Sequence, residues 1–179
     1  MKVFCALAAV SALMFAPLAA HADDDIMKHL ISAPNVGAYQ IYGSKQTNKR
    51  IKDPNVQGGL EMQVSVAGGG NPWDATAQVD VNQKITKGDA IECYVWLKAK
   101  SDAGAPVTLH GRLQVNAAPY TAVAETDFDV TGEWTLYDLK TTADQDYDKG
   151  KLVFVVHLNT GKQVVDLGPA FVLNMTRTY

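Results

Sequence analysis

Cysteine is almost missing from this chain. Of the two cysteines in 179 residues, Cys5 sits in an apolar N-terminal run and only Cys93 would survive its removal. No intrachain disulfide can then form. Cys93 lies within an apolar alternation, where a thiol acts as a small hydrophobe rather than a nucleophile. Cationic surface is lacking as well. Lys and Arg number 16 against 19 Asp and Glu, for a formal net charge of −3, and no basic stripe gathers on any segment. That excludes a surface built for a phosphate backbone, and with it a nucleic-acid partner. The sequence has no G-x-S-x-G elbow for a serine nucleophile. Gly68-Gly69-Gly70 is not followed by Lys-Ser/Thr, so it is no nucleotide loop. No H-x3-H or Cys pair accompanies His29, His110 or His157, which argues against zinc. No helical period is sustained, and there is no repeat, coiled coil or interdomain linker.

The one long hydrophobic run occupies residues 3–20, after Lys2 and before Ala20-His21-Ala22-Asp23-Asp24-Asp25. Its length approaches that of a membrane span, but the small-residue pattern before an acidic start predicts a cleaved secretory signal over 1–22. Cys5 lies deep inside the run rather than at the cleavage point, which argues against a lipid anchor. The expected product is one secreted or periplasmic domain, 23–179, with no membrane span left after cleavage.

What the mature chain has in quantity is period-2 alternation. Leu60, Met62, Val64 and Val66 alternate with polar residues until Gly68. Ala75, Ala77, Val79 and Val81 follow, then Ile91, Cys93, Val95 and Leu97 after Lys87-Gly88-Asp89. Leu109, Leu113 and Val115 continue the pattern, with further strands predicted over 120–130, 134–141, 151–159 and 164–176. About eight or nine such strands predict an all-β fold, a two-sheet antiparallel sandwich. Residues 23–32 are expected to be loose or to cross an edge.

Gly58-Gly59-Leu60, Gly70-Asn71-Pro72-Trp73-Asp74, Lys87-Gly88-Asp89 and Trp96-Leu97-Lys98-Ala99-Lys100 appear in that order, followed by Thr131-Gly132-Glu133-Trp134-Thr135-Leu136-Tyr137 and Val164-Val165-Asp166. Over roughly residues 56–173 the chain resembles carbohydrate-binding modules of families 4, 9 and 22. The resemblance implies a jelly roll of the galactose-binding-like group, with a polysaccharide or glycan laid across one concave sheet. It also implies a structural calcium at Asp166, the carboxylate of the last strand. The acidic motif that would complete that site before the first strand is missing, since residues 30–37 hold no Asp or Glu. No other cofactor is expected.

Sugar recognition needs an aromatic face against the C–H side of a ring, with amides, carboxylates, Arg or His on the hydroxyls. On a strand such groups must stand two residues apart. His110-x-Arg112-x-Gln114 meets that demand on the face opposite Leu109, Leu113 and Val115. Gln78 and Thr76 have outward parity, as does His157, which is either a cleft residue or a solvated one. Trp73 has two readings: a stacking platform, as in the related modules, or a core-side residue by parity with Ala75 and Ala77. Tyr94 and Trp96 are two aromatics on a nominally exposed face and need a ligand, a loop or a partner to cover them. Tyr120 is expected to wall the cleft, and Trp134 to plug an edge of the core. Glu125-x-Asp127-x-Asp129 reads as a solvated acidic strand face, without the apolar pocket that a glycosidase acid requires. The sequence therefore points to a non-catalytic binding protein, acting alone or docked on a separately encoded glycan-active enzyme. The alternative is a periplasmic or surface interaction protein using Tyr94 and Trp96 as its interface.

Overall fold

In the computed structural model of the protein, the described residues are 25–101 and 103–179. The expected signal, 1–22, lies outside them. Ten strands run through the described residues: β1 (Gln40–Tyr42), β2 (Gln46–Lys52), β3 (Leu60–Val66), β4 (Thr76–Asp80), β5 (Ala90–Ser101), β6 (Val107–Val115), β7 (Ala122–Val130), β8 (Thr135–Thr142), β9 (Leu152–His157) and β10 (Gln163–Asn174). They pair antiparallel into two five-stranded sheets, ordered β1-β4-β9-β6-β7 and β2-β3-β10-β5-β8. No helix among the described residues is long and apolar enough to cross a membrane.

Alternation decides which face each strand buries. In β5, Ile91, Cys93, Val95, Leu97 and Ala99 enter the core, while Glu92, Tyr94, Trp96 and Lys98 face away from it. The facing sheet contributes Leu109 and Leu113 from β6 and Phe154 and Val156 from β9, all nearly inaccessible. Each such side chain stabilises the fold by roughly 1.5–3 kcal/mol relative to exposure. Gly111 interrupts the apolar set of β6 for a steric reason. A Cβ there would lie 2.3 Å from the ring of Phe128, so the glycine makes room for a phenyl group across the hairpin.

Two strands were not expected. β1 is three residues long, and β2 reads Gln-Thr-Asn-Lys-Arg-Ile-Lys with most of its side chains exposed. Both sit at sheet edges, where charge and short length block edge-to-edge pairing and erase the hydrophobic pattern. Segment 120–130 also starts later than predicted, because Tyr120 adopts a left-handed conformation (φ 57°) in the turn before β7. Trp134 does not plug the core edge. It lies half-buried on the outer face of the second sheet and donates its indole N–H to Asp53 Oδ2 at 2.9 Å.

The two ends of the described chain are tied together. Leu30 bridges Leu173, His29 Nδ1 lies 2.9 and 2.7 Å from the carbonyls of Asn174 and Arg177, and the amide of Tyr179 donates to Lys28 O at 2.7 Å. Beneath this knot, Asp89 is buried and accepts from Arg177 Nε (2.9 Å), Asn174 Nδ2 (2.8 Å) and the amide of Thr86 (2.9 Å).

Candidate functional site

Strand register builds the outer face of the first sheet in rows. One row runs Tyr42, Thr76, His157, His110, Asp127 across β1, β4, β9, β6 and β7. The next runs Gln40, Gln78, Val155, Arg112, Glu125. Asp80, Val153 and Gln114 form part of a third. Neighbouring strands are about 4.8 Å apart, so each row is a closely spaced line of side chains.

Two turns raise walls above this floor. The 3₁₀ turn Pro72–Asp74 precedes β4 and breaks the parity that would have sent Trp73 inward. Trp73 is instead 58% exposed, its ring edge-on to His157 with centroids 6.3 Å apart. Asn159 Nδ2 holds the approach to this turn by donating to Gly69 O (2.8 Å) and Asn71 O (2.9 Å), and Asn71 N donates to Asp74 Oδ2 (3.0 Å). From the opposite end of the strands, Pro119 and Tyr120 stand over Gln114, with Tyr120 53% exposed. Between the walls lie two adjoining depressions of 490 and 620 Å3 that share Trp73, Arg112 and His157.

Charges across the floor are matched by strand pairing. His110 Nδ1 is 2.6 Å from Asp127 Oδ1, and Arg112 Nε is 3.2 Å from Glu125 Oε2. Arg112 Nη2 also reaches Tyr120 O at 3.5 Å. Asp80 accepts from Gln40 Nε2 (2.8 Å) and Gln78 Nε2 (3.2 Å), and the Tyr42 hydroxyl donates to Gln40 Oε1. Two buried atoms on the floor have no hydrogen-bond partner among the described residues: Gln114 Oε1, and Arg112 Nε, whose approach to Glu125 is an ion pair without the alignment of a hydrogen bond. Gln114 itself is only 7% exposed.

Burial, followed by the positive charges of Arg112 and His110, lowers the pKa of His157 to about 4. At neutral pH it is therefore a neutral imidazole with one donor and one acceptor. The unfolded chain takes up this proton near pH 6.5 and the folded chain only near 4, so the stability linked to neutral His157 is full above pH 6.5 and lost as pH falls toward 4. The urea midpoint is expected to drop between pH 7 and pH 4.5, and His157→Gln is expected to flatten that drop. Equal slopes in the two proteins would contradict the assignment.

Eight of the sequence-predicted residues come together here: Trp73, Thr76, Gln78, His110, Arg112, Gln114, Tyr120 and His157. Trp96 does not join them. It belongs to β5 in the other sheet, points away from the core, and donates its indole N–H to Gln57 Oε1 at 3.1 Å. Its parity was legible, but which sheet would carry β5 was not. Asp166 is also on that second sheet, paired with Lys98 at 3.4 Å. Tyr42, Val155, Asn116, Glu125 and Asp127 line the cleft unforeseen. The two acids had a readable signal: Glu-x-Asp follows His-x-Arg in the next strand, and a hairpin places opposite charges side by side.

A family model described as a carbohydrate binding domain matches residues 26–162. No curated protein matches the chain. Among solved structures, one described as a CBM4 structure aligns at 16% identity with a TM-score of 0.60, covering 76% of this chain and 94% of its own. The second N-terminal cellulose-binding domain of Cellulomonas fimi β-1,4-glucanase C aligns at 17% identity and TM-score 0.57, covering 83% and 93%. The CBM22-1–GH10 modules of Clostridium thermocellum endo-1,4-β-D-xylanase 10B, complexed with xylohexaose, align at 12% identity and TM-score 0.59. That match covers 84% of this chain and 29% of the xylanase chain. At these identities the likeness is one of fold.

Proposed function

The chain belongs to the carbohydrate-binding domain family of types 4 and 9, and from that premise we propose that it is a secreted or periplasmic, non-catalytic protein that binds a polysaccharide in the cleft across β4, β9 and β6. The observation that carries this reading is the buried oxygen Gln114 Oε1, which has no hydrogen-bond partner among the described residues and lies with the Arg112 guanidinium between the exposed aromatic walls Trp73 and Tyr120. A buried polar atom left without a partner is destabilising. Hydroxyls of a sugar ring supply both the donor and the acceptor required, and the indole and phenol cover its apolar faces. The solved domains of this fold named for cellulose or crystallised with xylohexaose direct the choice of ligand toward β-1,4-linked glucan or xylan. Binding is the whole mechanism. Glu125 and Asp127 lie on one strand, about 7 Å apart, each beside its own base and exposed to solvent, outside the apolar pocket that a glycosidase acid requires.

Affinity electrophoresis through gels containing xylan, mixed-linkage glucan, laminarin, mannan or alginate tests the reading. Retardation is expected in xylan or mixed-linkage glucan. Arg112→Ala is expected to relieve it while leaving thermal unfolding nearly unchanged. Free migration through every gel would reject glycan binding, and equal loss of binding and stability would make Arg112 structural.

A further inference from the structure

The second sheet carries on its outer face a charge cluster that the cleft does not use. Lys98, projecting from β5, places its ammonium 3.2 Å from Asp53 Oδ2, 3.5 Å from Glu61 Oε2 and 3.4 Å from Asp166 Oδ2. The ring of Trp134 lies 4.6 Å from the same nitrogen. Glu61 and Asp166 are buried, and three carboxylates so close cannot all stay ionised unless a cation stands among them. Two of the three remaining oxygens are also served. Gln63 Nε2 donates to Asp166 Oδ1 at 3.0 Å, while the amide and side chain of Asn55 donate to Asp53 Oδ1 at 2.9 and 2.8 Å.

Calcium takes six to eight oxygen ligands at about 2.3–2.6 Å. Here the centre of the cluster is filled by a nitrogen, and among the described residues no group of His, Cys, Asp and Glu closes around a metal ion. The residues around Asp166 therefore do not fit the calcium that the family resemblance leads one to expect there.

We propose that the Lys98 ammonium is the resident cation of this protein: it gathers Asp53, Glu61 and Asp166 in place of a calcium ion and fastens loop 53–59 to β3, β5 and β10 without any metal requirement. The loop makes two further attachments to the same surface, Trp134 Nε1 to Asp53 and Trp96 Nε1 to Gln57. Burial alone would lower the Lys98 pKa, but Asp53, Asp166 and Glu61 outweigh it and hold it above the ordinary lysine range. Asp53 is held well below the usual carboxylate range, chiefly by the Trp134 indole and the Asn55 amide.

Thermal unfolding of the mature chain, with EDTA and then with millimolar calcium, tests this first without any substitution. The two midpoints are expected to coincide; a midpoint that falls in EDTA and returns with calcium overturns the proposal. Lys98→Met keeps the length and removes the charge, so its midpoint is expected several degrees lower, whereas Lys98→Arg is expected to recover most of the loss. A methionine variant as stable as the parent, or an arginine variant as weak as the methionine one, would equally overturn it. Should Lys98→Met not fold, the chelation result and the arginine variant still decide the matter.

Discussion

Replacing Trp73 with alanine is expected to weaken glycan binding by about 2 kcal/mol or more, roughly 30-fold, with almost no change in thermal midpoint. The two effects separate because different atoms carry them. The indole is mostly exposed and its ring packs edge-on against His157. The turn that presents it is held instead by Asn71, Asp74 and Asn159, together with the Thr76 hydroxyl, which donates to Trp73 O at 3.1 Å. None of these bonds involves the indole. An exposed substitution of this kind shifts stability by about 0.5 kcal/mol or less. Calorimetric titration with the polysaccharide that retards the parent protein checks the first half, and differential scanning calorimetry the second. A loss of affinity below about threefold would remove Trp73 as the platform and pass that role to Tyr120.

The largest effect on stability is expected at the opposite end of the sandwich. Asp89→Ala should destabilise the fold by about 3 kcal/mol, because it removes the ion-pair partner of Arg177 and an acceptor of the buried Asn174 side chain and of the Thr86 amide, leaving Asn174 Nδ2 only its bond to the Tyr179 hydroxyl. For a domain of this size that is a fall of roughly 6–12 °C in midpoint. Burial alone would raise the pKa of this carboxyl, but the Arg177 guanidinium, the Thr86 amide and the Asn174 side chain outweigh it and hold it below the ordinary aspartate value. Its contribution is therefore complete above about pH 4 and fades as the pH drops further. Glycan retention well below the midpoint is expected to be unaffected. A midpoint within about 1 °C of the parent would show that the terminal knot holds without its acid.

Strands with an apolar and a polar face were legible because each position repeats the same instruction. β3, β4, β5 and β6 show it, and the outward set His110, Arg112 and Gln114 followed directly from the inward Leu109 and Leu113. Where the chain leaves the strand, parity stops applying. Trp73 sits in a 3₁₀ turn and Tyr120 is itself a left-handed turn residue, so alternation could not place the walls they form. Sheet membership was beyond the pattern for another reason. Trp96 and Arg112 have the same local parity, and only the long-range pairing order puts them on opposite sides of the molecule. Tyr42 was invisible because a three-residue edge strand has no period to detect.

β9 has no solvent side: every residue from Leu152 to His157 is buried, whether it faces the core or the cleft. Val155 and His157 are thus at once floor of the cleft and packing of the fold. Substitutions there trade ligand preference against integrity, and few would be tolerated during divergence. The turns carrying Trp73 and Tyr120 have no such double duty. New ligand preferences in this scaffold, whether natural or engineered, have their freedom in those two turns, over a floor that must stay nearly constant.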